Sequence, residues 1–273
     1  MFARAAELGY RALAMTDECS MAGIVRAQEA AREHGLKLIV GTELCSNTGF
    51  RMVLLAENQQ GYSKICRIIT RARRRSRKGG YQLLQEDLAQ PLTGCLVLWL
   101  PATAALLEAQ EYPPQQEEIQ SPPGVDDQGQ ALQRERPLQE QLAFIKQHWP
   151  GRCWIAVELL RRSHDQLQLQ RLQALSSSSG LPLVAAGDVR MHHRHRKPLL
   201  DVLTAISHRC SVAEAGFLLT PNAENRLRSL PELRRLYPPA LLAASCEIAA
   251  RCRFDLGQLH YCLLYTSPSP RDS

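Results

Sequence analysis

The hydrophobic positions of this chain change period repeatedly, and the changes mark its elements. Arg11 to Leu44 reads as strand, helix, strand, and each apolar strand runs out onto polar residues. Thr16, Asp17 and Glu18 follow the first strand, and Thr42 and Glu43 close the second. Phe50 to Ala56 has strand character, and Tyr62 to Arg75 is an amphipathic helix with Ile65, Ile68 and Ile69 on one face. Further strands are expected at Cys95 to Leu100, at Cys153 to Leu159 with Glu158 near its end, and at Leu181 to Ala186 leading into Gly187-Asp188-Val189. Helices over Leu138 to Trp149 and Gln166 to Leu175 separate them. Strict alternation of strand and helix favours a parallel α/β sheet or barrel. In such a fold the C-terminal strand ends lie on one face, so Asp17, Glu18, Glu43, Glu158 and Asp188 are expected to converge there.

Two stretches depart from this pattern. Residues 109–136 are rich in Gln, Glu and Pro and are expected to form a flexible surface insertion in a barrel spanning 1–197. Beyond Lys197 the strands stop, and short helices over 198–261 form a connector packed on the barrel. The ends are also irregular. The first nine residues read as the tail of a helix with no strand before it, so the barrel is expected to lack its first strand. Residues 262–273 share neither periodicity nor composition with the rest. The run Cys262 to Asp272 translates a DNA string resembling a transposase-library adapter and is expected to be an assembly artefact.

Composition narrows the class. With 45% hydrophobic and 22% charged residues among 273, the chain is a soluble globular protein. Its net charge of +6 fits a nucleic-acid or phosphate partner, but such an excess is common on proteins that bind neither. Nine scattered cysteines without a C-x-x-C pair imply reduced thiols in a cytoplasmic protein rather than a disulfide framework or zinc ribbon. The longest apolar stretch, Gly94 to Leu107, contains Pro101 and falls short of the roughly 18 residues of a membrane span. The N-terminus lacks the apolar core of a signal peptide.

The segments A-A-E-L-G-Y-R-A-L-A-M-T-D-E-C-S-M-A-G-I-V-R-A, H-G-L-K-L-I-V-G-T-E-L, G-L-P-L-V-A-A-G-D-V and V-A-E-A-G-F-L-L-T-P-N carry a resemblance. They resemble the N-terminal polymerase-and-histidinol-phosphatase (PHP) domain of bacterial error-prone DNA polymerases, relatives of the polymerase III alpha subunit. The resemblance implies a distorted (β/α)7 barrel, here without its first strand, whose C-terminal face holds divalent metals in related phosphoesterases. It implies a parent DNA-directed DNA polymerase, a nucleotidyltransferase of DNA repair, translesion synthesis and damage-induced mutagenesis. That activity would use magnesium or manganese and would act on DNA and deoxynucleotides through palm residues outside this sequence. Repair or replication proteins are further implied partners.

Carried onto this chain, the family's T-D-H position is Thr16-Asp17-Glu18, its G-x-E glutamate is Glu43, and its D-x-H pair is Asp188 and Arg190. Asp17, Glu18, Glu43 and Asp188 are thus the vestigial metal positions. Arg190 puts a fixed positive charge where an imidazole would bind metal, and a guanidinium stays protonated. One reading is a metal-assisted phosphoesterase with hard oxygen ligands suited to manganese or magnesium. The reading preferred here is a scaffold in which Arg190 pairs with Glu43 or Asp188 and neutralises the old pocket. A pure interaction module is a third class.

The basic run Arg71 to Lys78 offers Arg73, Arg74, Arg75 and Arg77 as phosphate contacts, or else is a solvated helix end. His192, His193 and His195 read as a solvated basic loop because adjacent side chains diverge, with His192 alone near the rim. His34 and His164 read as capping or surface residues.

Overall fold

A computed structural model describes residues 1–102, 106 and 138–259. The expected insertion at 109–136 and the terminal 262–273 lie outside these residues. The chain opens with α1 (Phe2–Glu7), β1 (Ala12–Met15), α2 (Ile24–Glu33) and β2 (Lys37–Cys45). Ile24, Ala27, Gln28 and Ala31 are the buried side of α2, the spacing that an amphipathic helix presents to a sheet. There follow β3 (Arg51–Ala56), α3 (Gln59–Arg74), α4 (Gln85–Leu88) and β4 (Cys95–Leu100). Next are α5 (Leu138–His148), β5 (Cys153–Glu158), α6 (Asp165–Ser179) and β6 (Leu183–Ala186). Three helices end the described chain: α7 (Lys197–Ser207), α8 (Leu230–Leu236) and α9 (Pro239–Arg251).

The six strands lie in sequence order in one mixed sheet curved into a half-barrel. β1 is parallel to β2, and β4, β5 and β6 are parallel to one another. β3 is antiparallel to both of its neighbours, which corrects the expectation of strict strand-helix alternation. Residues 46–50 link β2 to β3 by a tight turn, with Ser46 Oγ accepting from Phe50 N at 3.1 Å and Gly49 at a φ of 73°. A link of this length cannot hold a parallel crossover, which needs a dozen or more residues. The reversal sets the N-terminal end of β3 beside the C-terminal ends of β2 and β4.

Alternating strand residues face opposite layers. On one side Val40, Leu44, Leu54, Val97, Trp99 and Ile155 pack into the main core with α2, α3 and α5. Phe50 stacks on Trp149 at 5.6 Å and meets Phe144 edge-on at 6.1 Å, while Trp99 Nε1 donates to Gln141 at 3.0 Å. On the other side Ile39, Leu55, Leu96, Trp154 and Val184 form a second core against Ile248 and Cys252 at the end of α9. Arg251 lies over the Trp154 ring at 5.2 Å, and Glu57 bridges Arg251 (3.2 Å) and Arg152 (2.8 Å). The last helix thereby covers the inner face of the half-barrel.

All eight described cysteines are free thiols. Burial pushes Cys95 and Cys252 up to about 12, so both stay protonated and packed rather than reactive. On α7, Leu199, Val202, Leu203 and Ile206 recur at i, i+3, i+4 and i+7 and remain exposed. No described helix is long and apolar enough to cross a membrane.

Candidate functional site

The inner-face residues carry their period through to the strand ends. Ile39 leads to Gly41 and Glu43, Trp154 to Ala156 and Glu158, and Val184 to Ala186 and Asp188. In the reversed β3 the same face runs from Leu55 through Val53 to Arg51, with Arg51 paired to Cys45 in register. Beyond β1, the backbone of Asp17 to Cys19 still pairs with β2. Glu43 N donates to Asp17 O at 3.3 Å and Cys19 N to Glu43 O at 2.8 Å, making Glu18 and Glu43 an isolated parallel bridge. Buried Thr42 fixes this extension by donating from Oγ1 to Asp17 O at 2.7 Å.

Glu18, Glu43, Glu158 and Asp188 therefore share one face of the strand ends, and Arg51 and Arg190 join them. Arg51 donates to Glu43 Oε1 at 2.7 Å, and Arg190 Nε donates to Asp188 Oδ1 at 3.0 Å. Asp188 has a positive φ of 39°, a left-handed conformation held by Asn225. The Asn225 amide donates to Asp188 O at 3.1 Å and to Asp188 Oδ2 at 2.7 Å. Glu18 accepts from the Tyr81 hydroxyl at 2.9 Å, which in turn accepts from Cys45 N at 3.0 Å.

Asp17 does not join the group. Its carboxylate lies on the α2 side, where Oδ2 would stand 2.8 Å from a Cβ placed on Gly23. The period of two places it on the opposite face from Glu18.

Glu158 is the least compensated carboxylate. Burial and then the Asp188 charge push it up to about 7, against the pull of Arg51. Burial also raises Asp188, opposed by Arg190. The ends of β5 and β6 are joined by Tyr237, whose hydroxyl accepts from Leu159 N at 3.1 Å and donates to Ala186 O at 2.6 Å. Replacing Tyr237 with Phe leaves a buried backbone N–H unpaired, and a loss of about 1–2 kcal/mol is expected in urea unfolding. An unchanged midpoint would show that the hydroxyl does not tie the two strands.

Chemically this is a compensated acidic rim. A divalent ion would need several carboxylate oxygens free to turn toward one point. Here the oxygens of Asp188 are held by Arg190 and Asn225, and Glu43 is held by Arg51. Among the described residues no three His, Cys, Asp or Glu side chains are placed to hold a metal. The residues present do not fit the metal cluster that the resemblance implied.

The basic run is divided by the fold. Arg73 donates to Cys19 O (3.0 Å), Glu18 O (3.2 Å), Gly79 O (3.1 Å) and Gly80 O (3.0 Å), which pins the strand end to the end of α3. Arg75 forms a two-pronged ion pair with buried Asp87. Arg74 and Arg77 are exposed. His192, His193 and His195 lie on or beside a short 3-10 turn, His193 and His195 with ring centroids 4.2 Å apart. His34 stands at the C-cap of α2, and His164 is the N-cap of α6 without a side-chain cap bond.

Arg51 was not recognisable as a site residue from the sequence, because its position depends on the direction of β3. Tyr81, Asn225 and Tyr237 reach the strand ends from distant loops and helices and carry no local signal. Glu158 was signalled by its place at the end of an apolar run.

Residues 1–107 match the PHP domain family. The chain is 49% identical over 261 residues to an error-prone DNA polymerase of Pseudomonas aeruginosa, covering 96% of this chain and 22% of that protein. It is 47% identical over 261 residues to that of Pseudomonas paraeruginosa, with the same coverage of both chains. For the enzyme named error-prone DNA polymerase in Dechloromonas aromatica the identity is 45% over 264 residues, covering 95% of this chain and 23% of that one. The chain thus spans between a fifth and a quarter of the length of these relatives.

Proposed function

We propose that this chain, which matches the PHP domain family over residues 1–107 and is 49% identical to an error-prone DNA polymerase over 261 residues, is a structural portion of such an enzyme. The parent activity would be template-directed nucleotidyl transfer in DNA repair and translesion synthesis, with magnesium or manganese serving residues elsewhere in the longer protein. The extent of similarity to the relatives supports that assignment.

For the strand-end site itself, the proposed role is a scaffold rather than a hydrolase. The observation that carries this reading is the pair of ion pairs Arg51–Glu43 and Arg190–Asp188. Each guanidinium occupies a carboxylate that a metal would need and stays charged at any working pH. The expected role is to hold the N-terminal end of β3 to the C-terminal end of β2 and to fix the segment that follows β6 by charge pairs, with α9 closing the inner face beneath them.

The purified chain is expected to incorporate no deoxynucleotide on a primed template and to release no phosphate from a generic ester with added manganese. The complete gene product is expected to extend the primer. Template-dependent extension by this chain alone would overturn the reading. So would manganese-dependent phosphate release abolished by Glu43→Ala, which would favour a stand-alone PHP-type phosphoesterase.

A further inference from the structure

The charge of this molecule is concentrated in one place. Lys64, Arg67, Arg71, Arg73, Arg74, Arg75, Arg77 and Lys78 are eight cations with no Asp or Glu among them. The chain has 33 Lys and Arg against 27 Asp and Glu, so without these eight it has 25 against 27 and is net acidic. One helix and the turn after it therefore account for the whole basic character of the chain.

The fold then sorts these cations by use. Lys64 donates to Pro91 O at 2.7 Å, Arg73 is spent on backbone carbonyls, and Arg75 on Asp87. Gly61, Ile65, Ile68 and Ala72 turn the other side of α3 into the core. Arg67, Arg71 and Arg74 are left exposed at i, i+4 and i+7, and Arg77 and Lys78 extend the row beyond the helix end. The three helical arginines span about 10 Å along the axis. The other exposed α3 residues on this side include Ser63 and Thr70, with no aromatic or large aliphatic side chain.

We infer that Arg67, Arg71, Arg74, Arg77 and Lys78 form a contact surface for the phosphodiester backbone of duplex DNA. A duplex carries a negative charge about every 1.7 Å, and arginine pairs with phosphate through two parallel hydrogen bonds. The composition of the face excludes the other common uses of exposed arginine. A protein interface of useful affinity is centred on buried aromatic or aliphatic anchors, and this row has none. Single strands are held by base stacking on aromatic side chains, which are equally missing from it. Lone phosphate groups need a concave site, whereas this is the convex outer face of a helix. The surface loses two members of the sequence expectation and gains three, because the fold withdraws Arg73 and Arg75 and supplies Arg67, Arg71 and Lys78. It rests on the polymerase reading only for DNA as the nucleic acid that such a protein meets.

The test uses the full chain, a fluorescein-labelled duplex and a single strand of the same sequence, with anisotropy followed at two salt concentrations. R71E/R74E is expected to weaken duplex binding at least about tenfold and to reduce the salt slope by about two, one for each phosphate no longer neutralised. R234E/R235E makes the same charge change on exposed residues of α8 and is expected to weaken binding by less than about threefold. Thermal melts check that both variants fold, and R71Q/R74Q replaces the reversal if it does not. Equal losses in the two double variants would overturn the inference, as would tighter binding of the single strand than of the duplex. Displacement of DNA by polyglutamate at equal charge would also overturn it and assign the face to an acidic protein. None of these outcomes bears on the polymerase reading, which is judged by primer extension with the complete gene product.

Discussion

Gly61→Ala is expected to cost more than about 4 kcal/mol and to leave little folded protein, the largest effect of a methyl group added at any described glycine. Gly61 lies in the first turn of α3, and that turn rests directly on the backbone entering β4. A Cβ at this position would stand 1.7 Å from Gly94 O and 2.5 Å from its carbonyl carbon. Neither atom is the movable end of a side chain, so the helix and the strand would have to separate. The hydrogen bonds around the approach would break as they parted. Asn58 Oδ1 accepts from Gly61 N at 3.1 Å as the helix N-cap, and Cys95 Sγ donates to Gly61 O at 3.4 Å. Gly94 is fixed by the same packing, with a φ of 82° and Asn58 Oδ1 only 2.4 Å from where its own Cβ would stand. Gly35→Ala is the matched control. It also has a positive φ, 64°, but nothing lies within 4 Å of the added methyl, so only the left-handed backbone cost of about 1–2 kcal/mol is expected. Equilibrium urea unfolding of both variants makes the comparison, and similar losses would show that the close approach of α3 to β4 is not critical.

The second large effect is a pH dependence set by Glu158. Its folded-state value near 7 lies above the 4.5 of an ordinary glutamate, so the folded chain holds this proton more tightly than the unfolded chain. Below about pH 4.5 both states are protonated and the group contributes no penalty. As pH rises, the unfolded state ionises first, and folding loses stability until the folded carboxyl also ionises near pH 7. Above that the penalty is constant at roughly 3 kcal/mol. Glu158→Gln keeps the shape and removes the titration. It is expected to be more stable than the parent by that amount at pH 8 and nearly equal to it at pH 4.5. Urea midpoints across this range provide the measurement. A constant difference between the two proteins at every pH would show that Glu158 does not titrate differently on folding.

These two cases show where the sequence was legible. The hydrophobic period located the strands closely: Cys95–Leu100 is the span expected, and Cys153–Glu158 and Leu183–Ala186 differ from expectation by one and two residues at one end. It also located the acidic strand ends, because a polar residue at the end of an apolar run must lie on the rim. The division of Asp17 from Glu18 was present in the same alternation, but only the register with β2 said which parity faces inward. Arg190 is legible as a fixed charge two residues after Asp188, with which it forms an ion pair. Its counterpart Arg51 is different. As the first residue of a strand assumed to run parallel, it would have stood at the opposite end of the sheet.

The sequence by itself determined the elements, the α/β class, the family marker in Thr16-Asp17-Glu18 and Glu43, and the concentration of charge on one helix, since each is written in local period or composition. Tertiary structure alone decided which of those groups are free. The reversal of β3 brought Arg51 to Glu43, the loop carrying Asn225 closed on Asp188, and backbone carbonyls and Asp87 of α4 took up Arg73 and Arg75 while leaving Arg67, Arg71 and Arg74 outside. The physical reason is common to all three. A charge's chemistry depends on its partner and its exposure, and both are fixed by contacts between residues far apart in the chain.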